Sequence, residues 1–173
     1  MTTRRTTPPR REDWSHLARR EDLGPRLASF AIDVVDVHAL VAATAQIFEY
    51  PMCDRDPLAR WSRGRVTLLG DAAHPMYPMG SNGATQAIID GCSLADHLAG
   101  SAPVEALERY DQERRPATTR LVTLNRIGGP ERVIDVVEPL APDGFTDIND
   151  VVTPEELRAI VDDYATATGV VRR

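Results

Sequence analysis

The clearest pattern along the chain is a helical spacing of hydrophobic residues between Ala84 and Leu98. Apolar side chains recur there every three or four positions over about four turns, and Gly100 follows as a stop. Upstream, the short apolar run Arg65–Leu69 contains β-branched residues, which favour a buried strand. The residues between strand and helix include two prolines and three glycines. The pattern therefore predicts a strand, a turn-rich loop and a long helix, in that order.

A second helix is predicted near the C-terminus from its capping residues. Thr153 stands immediately before Pro154 and three residues before Glu156, which forms a capping box with proline at the first helical position. The helix is expected to run to Thr168, with Gly169 as its stop.

Weaker patterns predict the remaining elements. Residues 13–31 read as a helical or irregular segment that is broken at Gly24–Pro25. The other predicted elements are a helix at 37–46, a short strand at 47–52, and a charged helix at 104–115 that Pro116 interrupts before it resumes at 117–126.

Composition narrows the class of protein. With 173 residues, 42% of them hydrophobic, the chain is long enough for one domain with a core. A formal net charge of −6 argues against a nucleic-acid groove. No apolar stretch reaches the roughly 20 residues of a membrane span. Cys53 and Cys92 form neither a disulfide framework nor a metal-ligand spacing, so a soluble protein of the reducing cytoplasm is expected.

The loop after the predicted strand brings together two kinds of binding group. Asp71 follows Gly70 at the C-terminal end of the strand, where its carboxylate suits sugar or polyol hydroxyls. Gly80 and Gly83 precede a helix whose first N–H groups favour an anion. A flavin offers both partners, although Asp71 also fits a helix cap or turn residue. A nucleotide-binding regulator that uses the Gly80–Gly83 loop is disfavoured because this loop has no basic residue.

These residues carry a family resemblance. The stretch Gly70–His74 reads GDAAH and precedes a Pro-x-Gly-x-x-Gly loop. This resembles the second FAD-contacting motif of the single-component flavoprotein aromatic hydroxylases, the para-hydroxybenzoate hydroxylase class. Segments Tyr50–Trp61 and Met76–Gly80 resemble the branch containing the phenazine-modifying monooxygenases. The resemblance implies an FAD-dependent, NAD(P)H-consuming monooxygenase that hydroxylates an aromatic or polycyclic substrate, with a flavin hydroperoxide and no catalytic side chain transferring the oxygen.

The resemblance also implies a role for each part of the loop. Asp71 would accept hydrogen bonds from the ribityl hydroxyls, the Pro78 backbone would lie beside the isoalloxazine, and amides around Gly83 would face the flavin C2 carbonyl. Many family members have Asn where this chain has Thr85. The implied cofactor-binding residues are Gly70, Asp71, Pro78, Gly80, Asn82, Gly83, Ala84 and Thr85. The residues that either line an aromatic-substrate pocket or pack the loop are Met76, Tyr77 and Met79.

Two departures from the family pattern bear on the expected fold. The sequence contains no GxGxxG motif for the ADP half of FAD, and the family's Asp-Gly motif that precedes the substrate domain is also absent. An α/β fold (α+β as truncated) is therefore expected, formed by the C-terminal portion of a Rossmann-like FAD-binding domain and the end of a substrate domain. The resemblance leaves open a fragment, a truncated gene product or one half of a split enzyme, and in the last case a partner chain would carry the N-terminal FAD domain. The alternative is a truncated, non-catalytic remnant or interaction module that does not bind FAD alone. The expected divisions are a disordered tail at 1–12, the end of a substrate domain at 13–60, the FAD-binding part at 61–126 and a helical extension at 127–173.

Other polar residues have a structural interpretation. His74, beside a proline in a packed loop, is expected to form hydrogen bonds rather than act as an acid or base. Arg114–Pro116 is expected to be solvated at a helix end, and Cys92 to be a small packing residue. The residues expected to form a charged face without metal-ligand geometry are Glu105, Glu108, Asp111 and Glu113.

Overall fold

The computed structural model describes residues 15–27 and 34–169, and the chain divides into two compact units, Met1–Met52 and Cys53–Arg173. The tail predicted at 1–12 lies outside the described residues. The four divisions expected from the sequence stay a prediction. Within the described ranges, no helix is long and apolar enough to cross a membrane.

The described residues of the first unit, 15–27 and 34–52, contain two short helices, α1 at Arg20–Leu27 and α2 at Val37–Ala43. Asp36 caps α2, because its side chain accepts a hydrogen bond from the amide of Ala39 at 2.8 Å. The helix predicted over 37–46 is thus confirmed, although it ends earlier, at Ala43. The predicted break at Gly24–Pro25 is wrong, since α1 runs through it. A proline removes one backbone hydrogen bond, and the remaining turns of α1 still form.

A single backbone bridge stands where a strand is predicted at 47–52. Phe48 pairs antiparallel with Leu17 in an isolated bridge. The amide of Ala18 donates to the Ile47 carbonyl at 2.9 Å, and the ring of Phe48 stacks on that of Tyr50 at 6.2 Å. This pairing is too short to be a strand ladder, so the predicted strand is not seen.

The second unit, as far as Gly169, is built from four α-helices that are joined by loops and short 3-10 turns. The helices are α3 at Gly83–Gly100, α4 at Pro103–Arg126, α5 at Arg132–Val137 and α6 at Pro154–Thr168. The prediction of α3 is confirmed. Asp90 pairs with Arg114 at 2.8 Å, and Ser101 bonds Arg109 at 3.1 Å, so α3 and α4 run antiparallel.

Helix α4 continues through Pro116, so the predicted interruption there is wrong. Pro116 is exposed and removes one backbone hydrogen bond. The turns that follow it bury Leu121 and Val122, and the hydroxyl of Thr118 donates to the Arg114 carbonyl at 3.1 Å. Packing of these later turns therefore stabilises a helix that local propensity alone would end.

The core of this unit is an aromatic cluster that leads into the loop. Trp61 and Tyr110 are buried with ring centroids 5.8 Å apart, and the Trp61 ring lies 5.4 Å from that of His74. The Tyr110 hydroxyl donates to the carbonyl of Leu68 at 3.2 Å. The cluster thus fixes the backbone on both sides of residues 65–69.

Two residues lie differently from what the sequence predicts. Asp111 is buried rather than part of a charged face, because its carboxylate accepts hydrogen bonds from the amides of Trp61 at 2.8 Å and Ser62 at 3.1 Å. Cys92 is exposed rather than packed, because its side of α3 faces solvent. Both cysteines are free thiols, as expected.

The predicted strand Arg65–Leu69 forms no ladder. Val66 pairs with Arg63 in an isolated bridge, and the amide of Leu68 donates to the Trp61 carbonyl at 3.3 Å. Val66 is 68% exposed and Leu69 is 38% exposed. A strand needs a ladder of backbone hydrogen bonds with a neighbour, and these few bonds to residues 61–63 are all that the described residues supply here. The part of the chain that is described is therefore helix-rich, and the expected sheet is not seen in it.

The start of α6 matches the sequence prediction. The amide of Glu156 donates to the Thr153 hydroxyl at 3.3 Å, and the Thr153 amide donates back to the Glu156 carboxylate at 2.9 Å. These bonds complete the capping box, and Gly169 ends the helix with a left-handed φ of 69°.

We expect Thr153→Ala to lower the free energy of unfolding by about 1 kcal/mol, because the first turn of α6 loses its capping acceptor. Urea unfolding followed by circular dichroism measures this. Thr123→Ala is the control, since the Thr123 hydroxyl is exposed and donates only to a carbonyl of its own helix. An equal loss in both variants would contradict the capping role.

Candidate functional site

The loop that carries the GDAAH stretch begins in a tight 3-10 turn over Gly70–Ala72. Gly70 has a φ of +57°, and a Cβ placed on it would lie 3.2 Å from the Cβ of Ala87 in α3. Both observations require glycine at this position. The turn therefore brings the backbone against α3 and leaves the side chain of Asp71 exposed.

A buried carboxylate holds this turn in place. Asp90 of α3 is 0% exposed, and its Oδ2 accepts hydrogen bonds from the Gly70 amide at 3.1 Å and from His74 Nε2 at 2.6 Å. Its Oδ1 accepts from Arg114 Nε at 2.8 Å. A carboxylate only accepts, so the His74 proton lies on Nε2. Burial by itself raises the pKa of Asp90, but the hydrogen bonds from His74, Arg114 and Gly70 outweigh it and hold the pKa below its usual range.

The roles of His74 and Arg114, the two side chains that donate to Asp90, follow from this geometry. His74 is buried and bonded to Asp90, which confirms its structural interpretation. The prediction that Arg114 is solvated is wrong, because α4 continues past it and Arg114 is only 7% exposed. Arg114 Nη2 also donates to Gln86 Oε1 at 2.6 Å, and Gln86 Nε2 donates to the Thr168 carbonyl at 3.0 Å. One buried network therefore joins the loop to α3, α4 and the end of α6.

Nothing in the sequence pattern singles out Asp90 and Arg114 as partners. They lie on different helices, 24 positions apart, and Arg114 stands in an Arg-Arg-Pro run that is typical of an exposed helix end. The helical spacing of α3 offers one usable sign, because a charged residue at 90 interrupts its otherwise apolar face.

The middle of the loop adopts an unusual backbone. Pro78 is exposed and precedes a second 3-10 turn over Met79–Ser81. Gly80 has a φ of 66°, and Ser81 has a φ of 53°, the one positive value among the described non-glycine residues. The Asn82 Nδ2 donates to the carbonyl of Gly80 at 2.8 Å, and the Asn82 side chain accepts no hydrogen bond from the first turn of α3. The loop thus reaches α3 without capping it.

The start of α3 is open to a ligand. Asn82 makes no side-chain cap, so the amides of Gly83, Ala84 and Thr85 keep the unpaired character of a helix N-terminus. A Cβ placed on Gly83 would meet no atom within 4 Å. At the other end of the loop, Asp71 is exposed and makes no hydrogen bond or ion pair with any described residue. An acceptor and a row of donors are therefore both free, which fits the polyol and the anionic ring edge of a flavin.

The other predicted residues are placed in less open positions. Gly80 is not a free donor, because its amide already donates to the Glu131 carboxylate at 2.9 and 3.0 Å. The carbonyl of Tyr77 accepts from Asn125 Nδ2 at 2.9 Å, and that of Met79 accepts from the Tyr164 hydroxyl at 2.8 Å. The side chains of Met76, Tyr77 and Met79 are half-buried, and their place in a substrate pocket stays a prediction.

Comparison with known proteins gives a family and a set of relatives. The family described as FAD binding domain matches residues 6–125. The chain is 52% identical over 118 residues to a phenazine 1,6-dicarboxylic acid hydroxylase of Lysobacter antibioticus, which covers 68% of this chain and 29% of the relative. It is 41% identical over 123 residues to a 3-amino-4-hydroxybenzoate 2-monooxygenase of Streptomyces platensis, covering 69% of this chain and 30% of the relative.

A third relative is a 6-hydroxynicotinate 3-monooxygenase of Bordetella bronchiseptica, 49% identical over 103 residues, which are 54% of this chain and 25% of that protein. The resemblance to aromatic hydroxylases and to their phenazine branch is thus confirmed. The chain spans less than a third of the length of these relatives, since the matched shares are 29%, 30% and 25%.

Proposed function

The chain belongs to the FAD-binding domain family, and we propose that it contributes the flavin-contacting loop of an FAD-dependent monooxygenase that consumes NAD(P)H and hydroxylates an aromatic or polycyclic compound. The observation that carries this proposal is the loop from Gly70 to Thr85, with an exposed, unpaired carboxylate at one end and an uncapped helix start at the other. The relatives' names support the substrate class, because each denotes a hydroxylase or monooxygenase of an aromatic or heteroaromatic compound.

Each end of the loop does a different part of the binding. When bound, the flavin supplies the redox and oxygen-transfer chemistry. Asp71 would accept hydrogen bonds from ribityl hydroxyls, and the Pro78 backbone would lie beside the ring. The amides of Gly83–Thr85 and the dipole of α3 would stabilise negative charge at the C2 carbonyl edge. Residues Met76–Met79 present the apolar surface on the substrate side.

The expected sheet also belongs to this proposal. Leu69 has an extended backbone with φ −147° and ψ 147°, and Val66 is 68% and Leu69 38% exposed. We infer that residues 65–69 form a strand of a Rossmann-like sheet when the ADP-binding part of the enzyme, for example on a partner chain, lies against them. The backbone amide and carbonyl of Thr67 make no hydrogen bond with a described residue, and the β-branched side chain of Val66 is exposed, which supports this pairing.

We expect Asp71→Ala to weaken FAD binding by about 10- to 100-fold, because hydrogen bonds to a charged acceptor contribute about 1.5–3 kcal/mol. Flavin fluorescence titration of the purified chain, alone and with the N-terminal FAD domain of a relative, measures the dissociation constant. Asp71 is exposed, so the free energy of unfolding is expected to change by no more than about 0.5 kcal/mol.

Asp96→Ala is the matched control, since Asp96 is an exposed aspartate on α3, away from the loop. It is expected to bind FAD like the unchanged chain. If the folded chain binds no FAD in either setting, the alternative of a non-catalytic remnant or interaction module holds. Equal affinity in the Asp71 and Asp96 variants would place the ribityl contact elsewhere.

A further inference from the structure

Residues that follow the family match contact the flavin-facing loop directly. The match ends at residue 125, whereas the loop at Met79–Gly80 is bonded by Glu131 in the 3-10 turn before α5 and by Tyr164 in α6. Here Glu131 and Tyr164 are called the C-terminal clamp. Both residues lie in a part of the chain that the sequence pattern assigns no role in binding.

The loop has a backbone that needs such contacts. Gly80 and Ser81 both have positive φ, and a left-handed conformation at a residue with a side chain is unfavourable. Backbone of this kind persists where surrounding groups determine it. The clamp supplies those groups, from the exposed Glu131 and the buried Tyr164.

Glu131 fixes the loop through the backbone. Both carboxylate oxygens accept from the one amide of Gly80, at 2.9 and 3.0 Å. A charged acceptor makes this a strong hydrogen bond, and it orients the peptide plane between Met79 and Gly80. Gly129 lets the segment approach, since a Cβ placed on it would lie 2.9 Å from the Cβ of Met79.

Tyr164 fixes the loop through the packing of its ring and through the hydrogen bond that its hydroxyl donates. Its side chain is buried, and its hydroxyl lies 2.8 Å from the Met79 carbonyl and 2.8 Å from Asn125 Oδ1, two acceptors that its single proton serves. Asn82 Nδ2 donates to the same oxygen at 3.4 Å. The ring lies so close to Gly80 that a Cβ there would come within 2.4 Å of it. One side chain therefore touches the loop on both sides of its positive-φ residues.

We propose that Glu131 and Tyr164 are positioning residues that hold the loop from Tyr77 to Asn82 in its flavin-contacting conformation. That this conformation contacts flavin rests on the proposed function. That Glu131 and Tyr164 fix the conformation does not depend on it. Neither residue needs to touch the cofactor, because each acts through backbone groups of Met79 and Gly80.

The hold on the loop is tested by amide hydrogen exchange of the full chain without FAD, read residue by residue by NMR. In Glu131→Ala, the Gly80 amide is expected to exchange at least about 10-fold faster, because it loses a charge-assisted hydrogen bond. Glu131→Gln keeps a neutral acceptor and is expected to restore part of the protection. Amides inside α3 are expected to stay unchanged, which separates local release from global unfolding.

The matched control is Glu138→Ala, which changes an exposed glutamate in the same C-terminal segment. It is expected to leave the exchange rate of the Gly80 amide the same as in the unchanged chain. Unaltered Gly80 exchange in Glu131→Ala, or an equal rise at every amide, would overturn the proposal. Tyr164→Phe is expected to speed the amide exchange of Ser81 and Asn82 as well, since it removes the hydroxyl and its hydrogen bonds and keeps the ring.

FAD titration separates this inference from the proposed function. If the unchanged chain binds FAD, Glu131→Ala and Tyr164→Phe are expected to bind about 10-fold more weakly and to shift the visible flavin absorbance, while Glu138→Ala does neither. The same affinity and spectrum in all variants would overturn the link between clamp and flavin. If the unchanged chain binds no FAD, the proposed function of this chain fails, and the exchange of Gly80 still decides whether the clamp holds the loop.

Discussion

Replacing Asp90 by alanine is expected to lower the free energy of unfolding by about 3–5 kcal/mol, because it leaves a buried guanidinium without its carboxylate. Arg114 is 7% exposed and keeps only its bond to Gln86. The Gly70 amide and His74 Nε2 lose their acceptor in the same step. Urea unfolding at pH 7 measures the loss. If that loss equals the whole free energy of unfolding, the variant is already unfolded without urea. Its circular dichroism spectrum, compared with that of the unchanged chain, then shows the loss.

The control for this prediction is Asp96→Ala, which changes an exposed aspartate on the same helix and is expected to alter the free energy of unfolding by no more than about 0.5 kcal/mol.

The pH dependence of the stability loss in Asp90→Ala gives a second check. The pKa of Asp90 is held below its usual range, so its stabilisation is full above the unfolded-state pKa of about 3.9 and is lost as pH falls below it. The gap between unchanged chain and variant is expected to be constant from pH 7 to about 5 and to narrow in more acid solution. A loss under 1 kcal/mol at pH 7 would contradict the anchoring role.

Helices whose signals are contiguous in the sequence are predictable here. The apolar spacing of α3 and the cap of α6 lie within a few residues of one another, so local rules suffice. Pro116 shows the limit of those rules, because the burial of Leu121 and Val122 beyond it stabilises a continuous α4. Residues 65–69 show a second limit. Their composition favours a strand, but a strand exists only where a neighbour pairs with it.

The same distinction holds at the candidate site. Asp71 and the start of α3 belong to one contiguous stretch, so the sequence alone points to both as candidate binding groups, and the structure adds that Asp71 is exposed and the helix start uncapped. The anchor Asp90–Arg114 and the clamp residue Tyr164 meet the loop only through the fold, with Tyr164 lying 85 positions from Met79. The outward face of the loop is thus readable from the sequence, whereas the groups that support it from within require the structure.

Gly80→Ala is expected to lower the free energy of unfolding by about 2–5 kcal/mol, which combines two costs at one residue. A side chain at a φ of 66° costs about 1–2 kcal/mol. The added methyl group would also come within 2.4 Å of the Tyr164 ring, and overpacking of this kind typically costs about 1–3 kcal/mol. Thermal and urea unfolding measure the sum. Gly91→Ala is the matched control, because Gly91 lies inside α3 and a Cβ placed on it would meet no atom within 4 Å. Alanine there is expected to raise the free energy of unfolding by about 0.5–1 kcal/mol, which is the opposite effect.

A double-mutant cycle separates the two costs of Gly80→Ala. In a Tyr164→Ala background the overlap with the ring is absent, so only the backbone cost of about 1–2 kcal/mol is expected to remain. A coupling of about 1–3 kcal/mol between the two sites then measures how tightly α6 presses on the loop. Additive effects would mean that the loop moves away from Tyr164 at little cost, and the clamp would then not determine its conformation. A strong coupling has the opposite meaning: Gly80 is needed because α6 occupies the space that a side chain would fill, so the helix beyond the family match and the flavin-facing loop constrain each other.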